Sequence, residues 1–121
     1  MLLPMEPCPI MEGLSDQALV QVAQYFSALA EPTRLRILNS LRSHEQNVGE
    51  LAEQCGCSQA NVSRHLSTLA KHGLVAREAR GTSVYYRIAD PSIYALCDLV
   101  CGNVARQLDA QAAVLGNRST S

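Results

Sequence analysis

Tryptophan is missing from this chain of 121 residues, phenylalanine occurs once and tyrosine four times. With so few large rings, the core has to be assembled from Leu, Val, Ile and Ala, as in a small helical protein. No apolar run approaches the ~18 residues of a membrane helix, so no membrane partner is expected. The N-terminal MLLPMEPCPI has no basic segment ahead of its short apolar stretch. It therefore does not read as a secretory signal, and a cytoplasmic location is expected. Five cysteines in a reducing compartment are thiols, metal ligands or redox sensors rather than a disulfide framework. Catalytic constellations are lacking too. No nucleophile–base pair or phosphate loop occurs at convincing spacing, Glu45, Glu50 and Glu53 belong to a solvated helical region, and the glycines are isolated. An enzyme is not expected.

A basic excess is also missing, since the net charge is −1. The distribution says more than the total. Residues 58–88 hold Arg64, Lys71, Arg77, Arg80 and Arg87 against Glu78 alone, while residues 1–57 are predominantly acidic. Phosphate binding needs a locally positive face rather than a positive sum. An ordinary solvated surface is the plainer reading of the same charges.

What the chain does contain is one modest domain's worth of helical pattern. Residues 1–14 hold three prolines and read as a flexible segment. Ser15 can cap a helix to about Ala30, with Leu19, Val22, Phe26 and Leu29 at helical spacing. Pro32 suits the first turn of a second helix over 32–43, carrying Leu35, Leu38 and Leu41. Residues 43–47 read as a polar loop. VGELAEQCGCSQANVSRHLSTLAKHG, residues 48–73, then reads as a helix, a turn at Gly56 and a second helix from Ser58. The second helix pairs an apolar face of Val62, Leu66 and Leu69 with a polar face of Ser58, Gln59, Asn61, Ser63, Arg64 and His65. Two helices joined by a short turn, the second rich in side chains able to read base edges, make a helix-turn-helix.

Beyond Gly73 the period changes. Leu74 to Ala79 and Ser83 to Ile88 are β-prone, with Arg80-Gly81-Thr82 between them as a hairpin turn. A hairpin directly after a recognition helix is a wing, with Arg80 and Thr82 at its tip. Asp90-Pro91 opens a last helix, on which Ile93, Cys97, Val100, Val104, Leu108 and Leu115 share one stripe. So long a stripe at the end of a small domain calls for a partner helix, and a homodimer supplies one. The expected domain is residues 15–115, mainly α with a small β-hairpin wing and dimeric through its terminal helices. Residues 116–121 are expected to be a disordered tail.

ALAEPTRLRILNSL (28–41), the helix-turn-helix segment (48–75) and GTSVYYRI (81–88) together closely resemble the arsenical-repressor (ArsR/SmtB) family of winged helix-turn-helix regulators. That resemblance implies a homodimeric repressor of double-stranded operator DNA that lets go when a metal, metalloid or oxidant reaches a sensing site. It would place Ser58, Gln59, Asn61, Ser63, Arg64 and His65 at the major groove. Gln59 and Asn61 could pair with adenine, and Arg64 with guanine or phosphate. Thr33, Arg34 and Arg80 would make backbone contacts. Any one of these residues is equally readable as a polar side chain on an exposed surface.

The sensing residues depart from the family's patterns. Where one family site has a Cys-x-Cys pair, this chain has Asn47 and Gly49. Where another has Asp-x-His and later ligands, this chain has Asp90, Ser92, Asn103 and Arg106, and Asp90 reads better as a helix cap. Cys55 and Cys57 flank the turn glycine, where small apolar side chains fill the core, and are read as packing. Cys97 and Cys101 lie four apart on one helical face and can share a thiophilic ion. Cys8 could supply a third thiolate. Two readings of the three thiols stay open. They hold arsenite, antimonite or a soft divalent ion as inducer, or Cys97 and Cys101 merely pack in the dimer stripe. No obligatory cofactor is implied. Oxidation or sulfane sulfur acting on the same thiols is an alternative inducer. A winged-helix interaction module without DNA binding is the alternative of another class.

Overall fold

The computed structural model describes residues 12–120, with side chains described to residue 113. Among the described residues, five helices and three strands follow one another: α1 (Asp16–Leu29), α2 (Pro32–Ser40), β1 (Gln46–Asn47), α3 (Val48–Cys55), α4 (Gln59–Lys71), β2 (Val75–Arg80), β3 (Ser83–Ile88) and α5 (Ser92–Thr120). They form two compact units, one ending at Ile88 and the other starting at Ala89. No helix among the described residues is long and apolar enough to cross a membrane.

Each helix of the first unit starts where its cap chemistry dictates. Ser15 Oγ accepts from Ala18 N at 3.2 Å at the head of α1. At α2 the cap is Glu31, whose carboxylate accepts from Thr33 N at 2.6 Å and Arg34 N at 3.1 Å, with Pro32 in the first turn. Asn47 and Glu50 form a reciprocal capping box on α3, and Ser58 Oγ accepts from Asn61 N on α4. Between α3 and α4, Gly56 takes the left-handed conformation at φ 66°. A side chain there would crowd its own backbone, so glycine makes the sharp turn at little cost. The core comprises Ile37 and Leu38 of α2, Leu51 of α3, Val62, Leu66 and Leu69 of α4, and Leu74 and Val75 at the start of the hairpin. Burying each of these stabilises the unit by roughly 1.5–3 kcal/mol.

Four expectations change. The helix over 32–43 stops at Ser40, and Leu35 faces outward. Its last-turn carbonyl at Ser40 is taken by the side chain of Gln46, whose Nε2 donates at 2.7 Å. Gln46 is thereby fixed in place, and the supposed polar loop contains β1. This strand pairs antiparallel with β3 (Gln46 with Tyr86, Asn47 with Tyr85) and gives a three-stranded sheet of order β1-β3-β2. The hairpin loop is only Gly81-Thr82, because Arg80 pairs with Ser83. Gly81, at φ 62°, supplies the positive φ that a two-residue hairpin loop needs at its first position. Lastly, α5 continues to Thr120, through residues expected to be a tail. No proline follows Pro91, and a lone Gly116 is too weak a breaker to end a helix. Residues 1–11 of the expected flexible segment, Cys8 included, lie outside the described residues.

In the second unit, Asp90 Oδ1 accepts from Ser92 N at 3.0 Å, as a cap should. That bond holds the Asp90 carboxyl below its ordinary pKa. Along α5 the apolar stripe passes from buried Ile93 through half-buried Cys97 to Val100, Val104 and Leu108, which are 55%, 44% and 58% exposed. Leu99 beside them is 73% exposed. On α1, Leu19, Val20 and Phe26 are likewise exposed.

Candidate nucleic-acid interface

The amphipathic geometry of α4 determines what it can offer a ligand. Val62, Leu66 and Leu69 are fully buried, which forces the opposite side of the helix into solvent. Gln59, Ser63 and Arg64 are exposed there, with the capping Ser58 at the N-terminal end and Asn61 half-buried between them. Arg64 Nη2 donates to Asn61 Oδ1 one turn earlier, so two of the three side chains that could read bases already form a pair. Hydrogen-bonding groups on a rigid helix of 13 residues are what a duplex groove requires.

His65 does not belong to this surface. It is only 6% exposed and lies on the buried side of α4, which corrects its placement at the groove. Its spacing carried the signal, because Val62, His65, Leu66 and Leu69 follow the i, i+3, i+4, i+7 pattern of one face. Its Nδ1 lies 3.2 Å from Arg34 Nη1, and its Nε2 lies 3.9 Å from Glu31 Oε1. Arg34 is also turned inward. Its Nε donates to Ala28 O at 2.7 Å and its Nη2 to Ser27 O at 3.3 Å. Desolvation pushes the Glu31 carboxyl up, but bonds from the Arg34 and Thr33 backbone, with the Arg34 charge nearby, leave it lowered overall.

On the wing, Thr82 is exposed in the loop and Arg80 at its edge. Arg80 is matched by two carboxylates, Glu45 at 2.6 Å and Glu78 at 3.0 Å, and its guanidinium lies 4.9 Å from the Tyr85 ring centre. A phosphate would have to displace those carboxylates. Arg77 and Arg87, which sequence reasoning did not single out, are exposed on opposite faces of the hairpin. The strand register, with Arg77 opposite Tyr86 and Ala76 opposite Arg87, was the missing information.

The cysteines fall into two sets. Cys55 and Cys57 are half-buried around Gly56, and Cys57 Sγ donates to Cys55 O at 3.4 Å. Burial, and then the neighbouring Cys57, raises the Cys55 thiol above its ordinary pKa, which disfavours the thiolate a metal needs. On α5, Cys97 is half-buried and Cys101 exposed, and neither is in a disulfide. Among the described residues no three His, Cys, Asp or Glu side chains cluster as a metal site. The α5 pair carries two thiols of the chemistry a soft ion prefers.

Comparison with known proteins matches residues 31–77 to the family described as "Bacterial regulatory protein, arsR family". The chain is 41% identical over 85 residues to the HTH-type transcriptional regulator NmtR of Mycobacterium tuberculosis, covering 70% of this chain and 71% of that one. Its fold is similar to the homodimeric winged helix-turn-helix DNA-binding domain of a possible ArsR-family regulator from Mycobacterium bovis. There the TM-score is 0.71 at 36% identity, over 81% of this chain and 94% of that one. It is also similar to the AntR antimony-specific transcriptional repressor, with a TM-score of 0.69 at 27% identity, over 88% of this chain and 93% of that one.

Proposed function

From the fact that this chain belongs to the arsR family of winged helix-turn-helix DNA-binding transcriptional regulators, we propose that it is a homodimeric repressor released from its operator by a thiophilic ion. Ser58, Gln59, Asn61, Ser63 and Arg64 enter the major groove, and the hairpin, with Arg77, Arg80, Thr82 and Arg87, follows the adjoining backbone. The observation that carries this is the exposed polar side of α4 held against a fully buried Val62, Leu66 and Leu69. Dimerisation is supported by the exposed Leu99, Val100, Val104 and Leu108 of α5 and Phe26 of α1, which leave two terminal helices uncovered in a single chain. A two-fold protein suits an operator of two half-sites.

The inducer is arsenite, antimonite or a soft divalent ion, held by Cys97 and Cys101 with Cys8 as third thiolate. Bound there, the ion would supply a crosslink among thiolates at the dimer helices. The likeness to an antimony-specific repressor supports this inducer class over an oxidant, and the exposed Cys101 thiol is open to either.

The test is fluorescence anisotropy with a DNA duplex selected from a randomised library by the wild-type protein. Arg64→Ala is expected to weaken binding by about 1–3 kcal/mol. An unchanged affinity would remove α4 from the groove. Titrating the bound complex with arsenite, antimonite, cadmium or peroxide should give release by the ions, and Cys97→Ser or Cys101→Ser should abolish it. Release by peroxide alone would replace the ion with an oxidant.

A further inference from the structure

We propose that Arg34 and His65 form an internal strut that sets the position of α4 for operator binding, and that Arg34 makes no phosphate contact. The proposal rests on the operator-binding reading above.

Its physical basis begins at the junction of α1 and α2. In a continuing helix the Ala28 carbonyl would accept from the N–H of residue 32, but that residue is proline and has none. Ala28 is buried, so its carbonyl would otherwise lie unsatisfied away from water. Arg34 Nε fills the place at 2.7 Å, and Nη2 reaches the preceding carbonyl, Ser27, at 3.3 Å. The same planar guanidinium then presents Nη1 to His65 Nδ1 at 3.2 Å. One rigid fork thus joins the last turn of α1, the first turn of α2 and the middle of α4. A lysine, a point charge with no fork, cannot span three such acceptors.

The histidine is bonded on one edge and faces a carboxylate on the other. Arginine only donates, so Nδ1 must accept, which places the neutral ring's proton on Nε2. That edge faces Glu31 Oε1 at 3.9 Å, and Glu31 caps the helix that carries Arg34. Both polar neighbours of His65 therefore belong to the start of α2. Turning α4 about its axis would have to break the Arg34 bond, and Arg64, the next residue along, would turn with it.

Salt dependence separates this role from the phosphate contact that sequence suggests. An arginine on phosphate contributes about one unit to the slope of log affinity against log salt, and lysine substitutes for it. For the strut, Arg34→Lys should lose at least tenfold in affinity for the selected duplex with the slope unchanged. His65→Gln, which keeps an acceptor, should remain closer to wild type than His65→Leu. The double variant Arg34→Lys/His65→Leu should be no worse than the poorer single variant. A slope reduced by about one in Arg34→Ala with rescue by lysine would overturn the strut, and so would full affinity in His65→Leu. Circular dichroism establishes that each variant is folded. Should Arg34→Lys unfold, nitrogen-15 shifts of the wild-type imidazole still decide, since a protonated Nδ1 contradicts the geometry. If the wild type binds no duplex, the operator reading fails, while the imidazole spectrum tests the strut on its own.

Discussion

The helices α4 and α5 both carry an apolar stripe, sharper on α4, and the chain treats the two in opposite ways. Val62, Leu66 and Leu69 of α4 are fully buried within the first unit. Val100, Val104 and Leu108 of α5 remain about half exposed. Periodicity is the same kind of signal in both cases, yet it says only that a helix has an apolar side. What covers that side depends on whether neighbouring elements of the same chain can reach it. The finished helix presents its remaining face to solvent, while the unfinished one leaves its stripe largely uncovered.

The contrast can be broken most forcefully at α5. Val104→Glu would place two carboxylates, one per copy, in a two-fold interface without partners. The expected cost to dimerisation is about 3–5 kcal/mol or more, read as a shift to monomer by sedimentation. A dimer that survives this change would show that α5 is not its seam. Next comes Leu66→Ala on α4, expected to destabilise folding by about 2–5 kcal/mol in urea titrations. Because Leu66 is covered within the chain, the loss beyond the effect on dimerisation should persist in a Val104→Glu background, where concentration no longer matters. Should the loss vanish there, the two stripes are not independent. The smallest effect is Asn47→Ala, which removes one half of the α3 capping box and should cost about 1 kcal/mol without altering oligomeric state.

Much of the first unit was legible in the sequence because its signals are local. The cap at Ser58, the glycine at position 56 and the stripe of α4 lie within a dozen residues of one another. The hairpin had its own glycine. β1 was not legible, since two residues carry no pattern and Gln46 is held by Ser40 and by an open edge of β3. His65 was half legible. Its spacing assigned it to the buried side, but its chemistry argued for the surface, and only partners 31 and 34 residues upstream make burial affordable. The inward partners of Arg80 and Arg34 were not legible for a related reason. A basic side chain on its own suggests an anion outside the molecule, whereas the fold also supplies Glu45 and Glu78 for Arg80 and three inward acceptors for Arg34.

Before any duplex arrives, the Arg64 guanidinium is already parked on the Asn61 amide. On the operator-binding proposal, a base edge would have to outcompete that neighbour. A sequence offering a poorly aligned acceptor would leave that pair closed, and the protein would slide past on phosphate attraction alone. The cognate sequence would open it and gain two readers at once. The pair would thus act as a threshold, discriminating by what a site must surpass as well as by what it offers.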